Sequence, residues 1–152
     1  MQTKTIQPIH VLYFETRTSF QEISQYVRVE ARKMYQDAIR NELEITGPVY
    51  WVYEGADGRP DTVFTLTIAL PVTPPSHTID SPYQLKQLET FQCISEELYG
   101  SWDGLVSTYG ALFGEIMSQK LGMSGQSREI YLNMDFENPD RNITEVQVGI
   151  LK

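Results

Sequence analysis

Glu129 and Tyr131 stand two residues apart in the stretch SREIYLNMD, residues 127–135. The stretch alternates as a strand does, so Ser127, Glu129, Tyr131 and Asn133 share one face. Arg128, Ile130, Leu132 and Met134 share the other, which is mostly apolar and is expected to face a core. A carboxylate beside a phenol can do two kinds of chemistry. It can pair with a cation, selectively only where it is desolvated. It can also hold a water as general base, with a tyrosine as the proton donor. Trp51, Tyr53, Trp102 and Tyr109 supply further aromatic surface, with Tyr50 and Tyr99 close to them in sequence. Aromatic walls around one acid suit a flat or apolar molecule, a cationic one above all. The plainer alternative is that aromatics favour any pleated surface, and that a strand glutamate usually meets solvent.

Other chemistries find less support. Cys93 is the single cysteine, so it has no intramolecular disulfide partner, and in a strand-like run it reads as a small buried apolar residue. No His, Cys and carboxylate cluster has metal-ligand spacing. His10 opens a strand and His77 lies among prolines, and neither sits in a recognisable haem context. There is no Gly-rich phosphate loop and no Gly-x-Ser-x-Gly elbow. No metal or other cofactor is therefore expected. The net charge of −8 repels phosphates and argues against direct nucleic-acid binding. The N-terminal MQTKTIQPIH lacks the apolar core of a signal peptide. No run approaches the roughly 20 apolar residues of a membrane span. A cytoplasmic chain is the expectation, and the 41% hydrophobic content is enough for a core.

Those residues need elements to carry them. Residues 10–20 read as a strand and 20–44 as an amphipathic helix, with Ser19 and Glu22 spaced as a capping box. Ile23, Val27, Met34, Ala38 and Leu43 follow helical spacing, and Thr46-Gly47-Pro48 is expected to end the helix. Residues 49–54 and 62–72 read as strands, the second with Phe64, Leu66, Ile68 and Leu70 on one face. Pro74, Pro75 and Pro82 mark a linker. A strand at LETFQCISEEL follows, then a helix over 103–121 with Asp103 as N-cap and Gly122 as stop. Leu105, Tyr109, Leu112, Ile116 and Met117 mark its buried side. The EIYLNMD strand, the FENPDRN turn and a closing ITEVQVGIL strand complete the chain, with Val146, Val148 and Ile150 on the core face.

The order strand–helix–strand–strand thus occurs twice. Leu43-Glu44-Ile45-Thr46-Gly47 recurs about 78 residues later as Leu121-Gly122-Met123-Ser124-Gly125. The same offset sets Tyr53 on Tyr131 and Trp51 on Glu129. That period is too long for a solenoid and fits a duplicated half-domain. The fold class expected is α+β, built of two such modules with pseudo-two-fold symmetry, an antiparallel sheet and two main helices. One domain spans 1–152, with half 1 at about 8–72, a linker at about 73–86 and half 2 at about 87–152. Trp51 and Glu129, flanked by Tyr53 and Tyr131, are expected at the seam of the halves.

The second half resembles the C-terminal half of the GyrI-like small-molecule-binding domain, also the effector-binding domain of AraC-type and MerR-type regulators. The resemblance is carried by Gly100, by Tyr109 and Leu112, by Gly122, and by Glu129-Ile130-Tyr131. Asn138-Pro139-Asp140 and Thr144-Glu145-Val146 continue it, and Gly47-Pro48 marks the first half. It implies a groove along the pseudo-two-fold, and in multidrug-binding members an acid in that groove engages lipophilic cations. Glu129 matches that acid by its Glu-x-Tyr context. Trp102 stands where the family usually has tyrosine, and Ser101 where proline is common, so the ligand does not carry over. A free-standing member without its own DNA-binding region is implied.

Three readings stay open. The first is a module that binds a hydrophobic small molecule, a cationic one in particular, with Glu129 as anion and Trp51, Tyr53, Trp102, Tyr109 and Tyr131 as walls. The second is a hydrolase of reactive, cyclopropane-type electrophiles, to which some free-standing members are similar, using Glu129 with Tyr131 or Tyr109. The third is an acidic partner of a basic protein, as the gyrase-inhibiting namesake of the family implies.

Overall fold

The structure, a computed structural model, describes residues 1–151. Eight strands and two main helices make an α+β fold in two compact units. One unit comprises Pro8–Glu89, the other Met1–Gln7 with the chain from Thr90 onward. The strands are β1 (Gln2–Ile6), β2 (Ile9–Thr18), β3 (Tyr50–Glu54), β4 (Phe64–Pro71), β5 (Gln84–Leu88), β6 (Phe91–Tyr99), β7 (Gly122–Asn133) and β8 (Ile143–Leu151). The helices are α1 (Glu30–Arg40) and α2 (Leu105–Ser118).

The first unit orders its strands β5-β2-β4-β3, and the second β1-β6-β8-β7, with antiparallel neighbours in each. The edge strands are exchanged along the chain. β1 pairs with β6 rather than with β2, which follows it, and β5 pairs with β2 rather than with β6. Neither edge strand was legible in the sequence. β1 is short and polar, and β5 closes the segment expected to be a linker. The rest of that segment is clasped to the end of α1. Asn41 accepts from the Asp80 backbone N–H at 2.9 Å and donates to its carbonyl at 3.1 Å, and Ser81 bonds Asp37.

The helix expected over 20–44 is broken. Ile23–Tyr26 forms one 3-10 turn, Arg28 takes a φ of +63°, and the α-helix starts only at Glu30. The capping box at Ser19 does not form, because Glu22 N–H bonds the Ser19 carbonyl within a turn. The helix also stops before Gly47. Glu42, at φ +56°, turns the chain, and Leu43 N–H reaches the Ala38 carbonyl at 2.9 Å. At α2, Lys120 has φ +57° and Leu121 N–H reaches the Ile116 carbonyl at 3.0 Å. Each unit thus ends its helix with the same left-handed turn and long-range backbone bond. The two sets of residues keep the offset of about 78 seen in the sequence. The end signals missed the turns because non-glycine residues occupy them, at a small conformational cost offset by the hydrogen bonds.

Cores follow the alternation. Phe64, Leu66, Ile68 and Leu70 are all buried in β4, as expected, with Met34 and Ala38 of α1 also buried. In the other unit Ile94, Val146, Val148 and Ile150 pack with Leu112 and Ile116 of α2. Met117, expected on the buried side of α2, is 77% exposed. It lies too far round the helix from Leu112 to share its stripe.

Candidate functional site

β7 departs from the expected faces, and that departure builds the site. Its register against β8 shifts between Met123 and Ser127, and again between Tyr131 and Asn133. Between the shifts Glu129 lies opposite Val146 and Tyr131 opposite Thr144. Directly opposed residues share a sheet face, so Glu129 and Tyr131 lie on the face of the core residue Val146, the face that α2 covers. The face expected to be polar is the one under the helix. Leu132 and Met134, expected to seek a core, are 46% and 37% exposed. The second shift inserts Leu132 as an extra residue and throws the alternation off. The first shift has its own requirement. A Cβ on Gly149 would stand 2.1 Å from Ser124 Oγ and 2.8 Å from the Gln126 carbonyl oxygen, so only glycine lets β7 bend there.

Glu129 is 5% exposed. Tyr131 Oη donates to its Oε1 at 2.6 Å, and Tyr109 Oη, reaching down from α2, donates to its Oε2 at 2.7 Å. Both distances are those of well-formed O–H···O hydrogen bonds. Tyr109 comes from the helix face that also carries Leu105, Leu112 and Ile116, which is why its hydroxyl meets the sheet. Trp102 is fixed beside this pair. Gly100, at φ +102°, turns the chain out of β6, and Ser101 Oγ accepts from Asp103 N–H to form a single 3-10 turn. Ser101 thus caps that turn, while α2 begins at Leu105 behind Gly104 with no capping side chain, so the cap expected at Asp103 does not form. Trp102 Nε1 donates to Thr144 Oγ1 at 3.0 Å. Its indole meets the Tyr131 ring edge-on at 5.6 Å and the Phe136 ring at 5.4 Å.

Of the six residues expected to form the site, Glu129, Tyr131, Tyr109 and Trp102 are brought together within one unit. Trp51 and Tyr53 lie on β3 of the other unit, both buried, with the Tyr53 ring 5.6 Å from Phe64. Two participants were missed. Thr144 has a signal in the sequence, since its parity with Val146 and Val148 sets a hydroxyl on a core face. Phe136 has none, lying in a turn where no periodicity applies. Cys93 is buried, and burial with the nearby Glu145 charge pushes its thiol up to about 11. His10 and His77 are exposed, the latter bonded to the Asn41 carbonyl. Among the described residues no three His, Cys, Asp or Glu side chains gather as a metal centre requires, and no helix is long and apolar enough to cross a membrane.

The GyrI-like small molecule binding domain matches this chain over residues 1–151, and the chain belongs to that family. No curated protein sequence matches it. Solved structures share its fold at low identity. The EcmrR C-terminal domain has a TM-score of 0.81 at 15% identity, over 99% of this chain and 96% of that one. SAV2435 bound to tetraphenylphosphonium has 0.65 at 12%, over 99% and 94%. A hydrolase encoded by lin2189 of Listeria innocua has 0.66 at 14%, over 99% and 91%.

Proposed function

We propose that this member of the GyrI-like small molecule binding domain family binds lipophilic organic cations at Glu129. The observation that carries the reading is the buried glutamate with a tyrosine hydroxyl on each oxygen. A surface carboxylate contributes little to a charge pair. A carboxylate desolvated by folding has already met that cost, and at an effective dielectric near 20 a unit charge about 4 Å away gains about 4 kcal/mol. The remaining desolvation falls on the ligand. It is least for a cation whose charge is spread under apolar groups and greatest for a small, strongly hydrated ion. Trp102 and Tyr131, held edge-on to one another, offer ring surface to such a cation. That a neighbour of the same fold holds tetraphenylphosphonium supports the class. The reading rests on one unit, and the walls expected of Trp51 and Tyr53 are not needed for it.

The test is a thermal-shift titration with tetraphenylphosphonium on the wild type and Glu129→Gln. At 100 times the dissociation constant the wild type gains about 2.7 kcal/mol of stability. A folded wild type that gains nothing, or a variant that gains as much, refutes the reading.

A second reading has its own observation. Hydroxyls 2.6 and 2.7 Å from the carboxylate oxygens are within proton-transfer reach. With a hydrolase among the neighbours, the same group can act as base on a water while a phenol protonates the leaving atom of a strained electrophile. Turnover of a cyclopropane-containing electrophile, lost in Glu129→Gln and reduced in Tyr131→Phe or Tyr109→Phe, supports it. Turnover that survives Glu129→Gln refutes it.

A further inference from the structure

We infer that the exposed flank of α2 is a second recognition element for the Glu129 ligand, one that reads the length of its apolar portion. The inference rests on the binding reading above.

Val106, Phe113 and Met117 are 84%, 41% and 77% exposed. At about 100° per residue they fall within one narrow sector of the helix, next to the sector of Tyr109. The Phe113 ring lies 5.9 Å from the Tyr109 ring, tilted by 32°. Tyr109 carries the hydroxyl on Glu129, so the apolar flank runs directly from the carboxylate site outward along the helix. Glu115 is the helix's sole charged residue, and it points away from this flank. By contrast α1, EARKMYQDAIR, has charged side chains distributed over its solvent side. Gly110 borders this sector, and a Cβ there, as at Gly114, would touch nothing within 4 Å. Glycine inside a helix is unfavourable, and no packing contact within the chain accounts for either. The missing side chain at Gly110 leaves the helix backbone open between Val106 and Met117, where an apolar group can lie close to it.

Exposed apolar side chains are ordinary when scattered. Here three share one sector and adjoin a buried charge, which is the arrangement an amphiphilic cation fits. Its head pairs with Glu129 and its tail lies on Phe113 and then Met117. One helical turn separates Tyr109 from Phe113 and another reaches Met117, so the flank accommodates a tail extending about 12 Å beyond the head. Full burial of a methylene raises affinity about fourfold, and a one-sided surface covers about half of it, giving roughly twofold per methylene.

The experiment titrates the whole chain with tetramethylammonium and with n-alkyltrimethylammonium ions of increasing length, below their micelle concentrations. Wild type, Phe113→Ser, Met117→Ser and Glu129→Gln are compared by calorimetry, with melting curves to verify folding. In the wild type affinity is expected to rise roughly twofold per methylene and level off at about eight to ten carbons, where the tail passes Met117. Phe113→Ser flattens the rise from the first carbons, and Met117→Ser flattens only its later part. Both leave tetramethylammonium affinity unchanged, and Glu129→Gln lowers affinity at every length by one factor. A rise identical in wild type and both serine variants overturns the flank while leaving the anion reading intact. Binding that follows tail length through Phe113 but ignores Glu129 keeps the flank and overturns the anion reading. Absence of binding by every ion overturns both.

Discussion

Removing one hydroxyl from the Glu129 site tests how the site is held. Tyr109→Phe deletes only the phenol oxygen that stands 2.7 Å from Glu129 Oε2. The ring stays, with its packing against the α2 core and against Phe113. A hydrogen bond to a charged group contributes about 1.5–3 kcal/mol, and its loss leaves the buried oxygen short of that donor. Since Tyr109 is half-buried, the lower part of that range applies, so the variant is expected to lose about 1.5–2 kcal/mol. For a chain of this size that is a fall in Tm of about 3–8 °C. Urea denaturation of the four members of a cycle, wild type, Tyr109→Phe, Glu129→Gln and the double variant, separates the pair from its parts. With a neutral amide at 129 the tyrosine loses its charged acceptor, so Tyr109→Phe should cost about 1 kcal/mol less in that background. A cost under about 0.5 kcal/mol in the wild type, with no coupling in the cycle, would refute the claim that Tyr109 holds Glu129.

Three further outcomes are expected. Leu112→Ala, at a fully buried position of α2, should cost about 2–5 kcal/mol, whereas Met117→Ser on the exposed flank should stay within about 0.5 kcal/mol, both by urea midpoint. Cys93, with its thiol raised to about 11 by burial first and then Glu145, should resist iodoacetamide at pH 8 in the native protein and react at once in urea. Asp135 accepts from the backbone N–H groups of Asn138 and Glu137, which hold its carboxyl below the ordinary 3.8. A lowered carboxyl stabilises above its unfolded value, and the effect is lost as pH falls through the folded value. The stability difference between wild type and Asp135→Ala should therefore be constant near neutrality and shrink below about pH 4. A difference that grows on acidification would contradict the assignment.

The fold was legible where burial and periodicity agree. β4 and β8 could be read because every second residue is apolar and buried, and α2 because Leu105, Leu112 and Ile116 recur at helical spacing. The duplication could be read from the repeated order of elements together with the match of LEITG to LGMSG. It failed where backbone geometry overrides composition. Arg28, Glu42 and Lys120 adopt left-handed conformations that their side chains do not advertise, so the first helix was read as longer than it is. β1 and β5 are edge strands with few buried residues. An edge strand is defined by its partner's unpaired backbone groups rather than by its own side chains, and no local pattern announces that partner.

The site shows the same division more sharply. Glu129, Tyr131 and Tyr109 were chosen by residue type, and the structure brings these three side chains together. The faces of their strand were legible only in part. Alternation assigned the set Arg128, Ile130, Leu132 and Met134 to a core and set Glu129 and Tyr131 on the opposite face, expected to line a groove; Arg128 and Ile130 are indeed buried, and Leu132 and Met134 are not. A strand in which both Arg128 and Glu129 are buried, at 3% and 5% exposure, has no solvent face for the pattern to reveal. The bulge at Leu132 then shifts the phase within the same nine residues. A stable core would favour an apolar residue opposite Val146, and replacing a buried polar group together with its partners is often neutral or stabilising. Glu129→Met combined with Tyr109→Phe and Tyr131→Phe should therefore fold with stability equal to or above that of wild type, measured in urea, while losing all affinity for tetraphenylphosphonium. If the triple variant were instead less stable by more than about 3 kcal/mol, the three polar groups would be part of what holds the fold, and their presence would need no ligand to explain it.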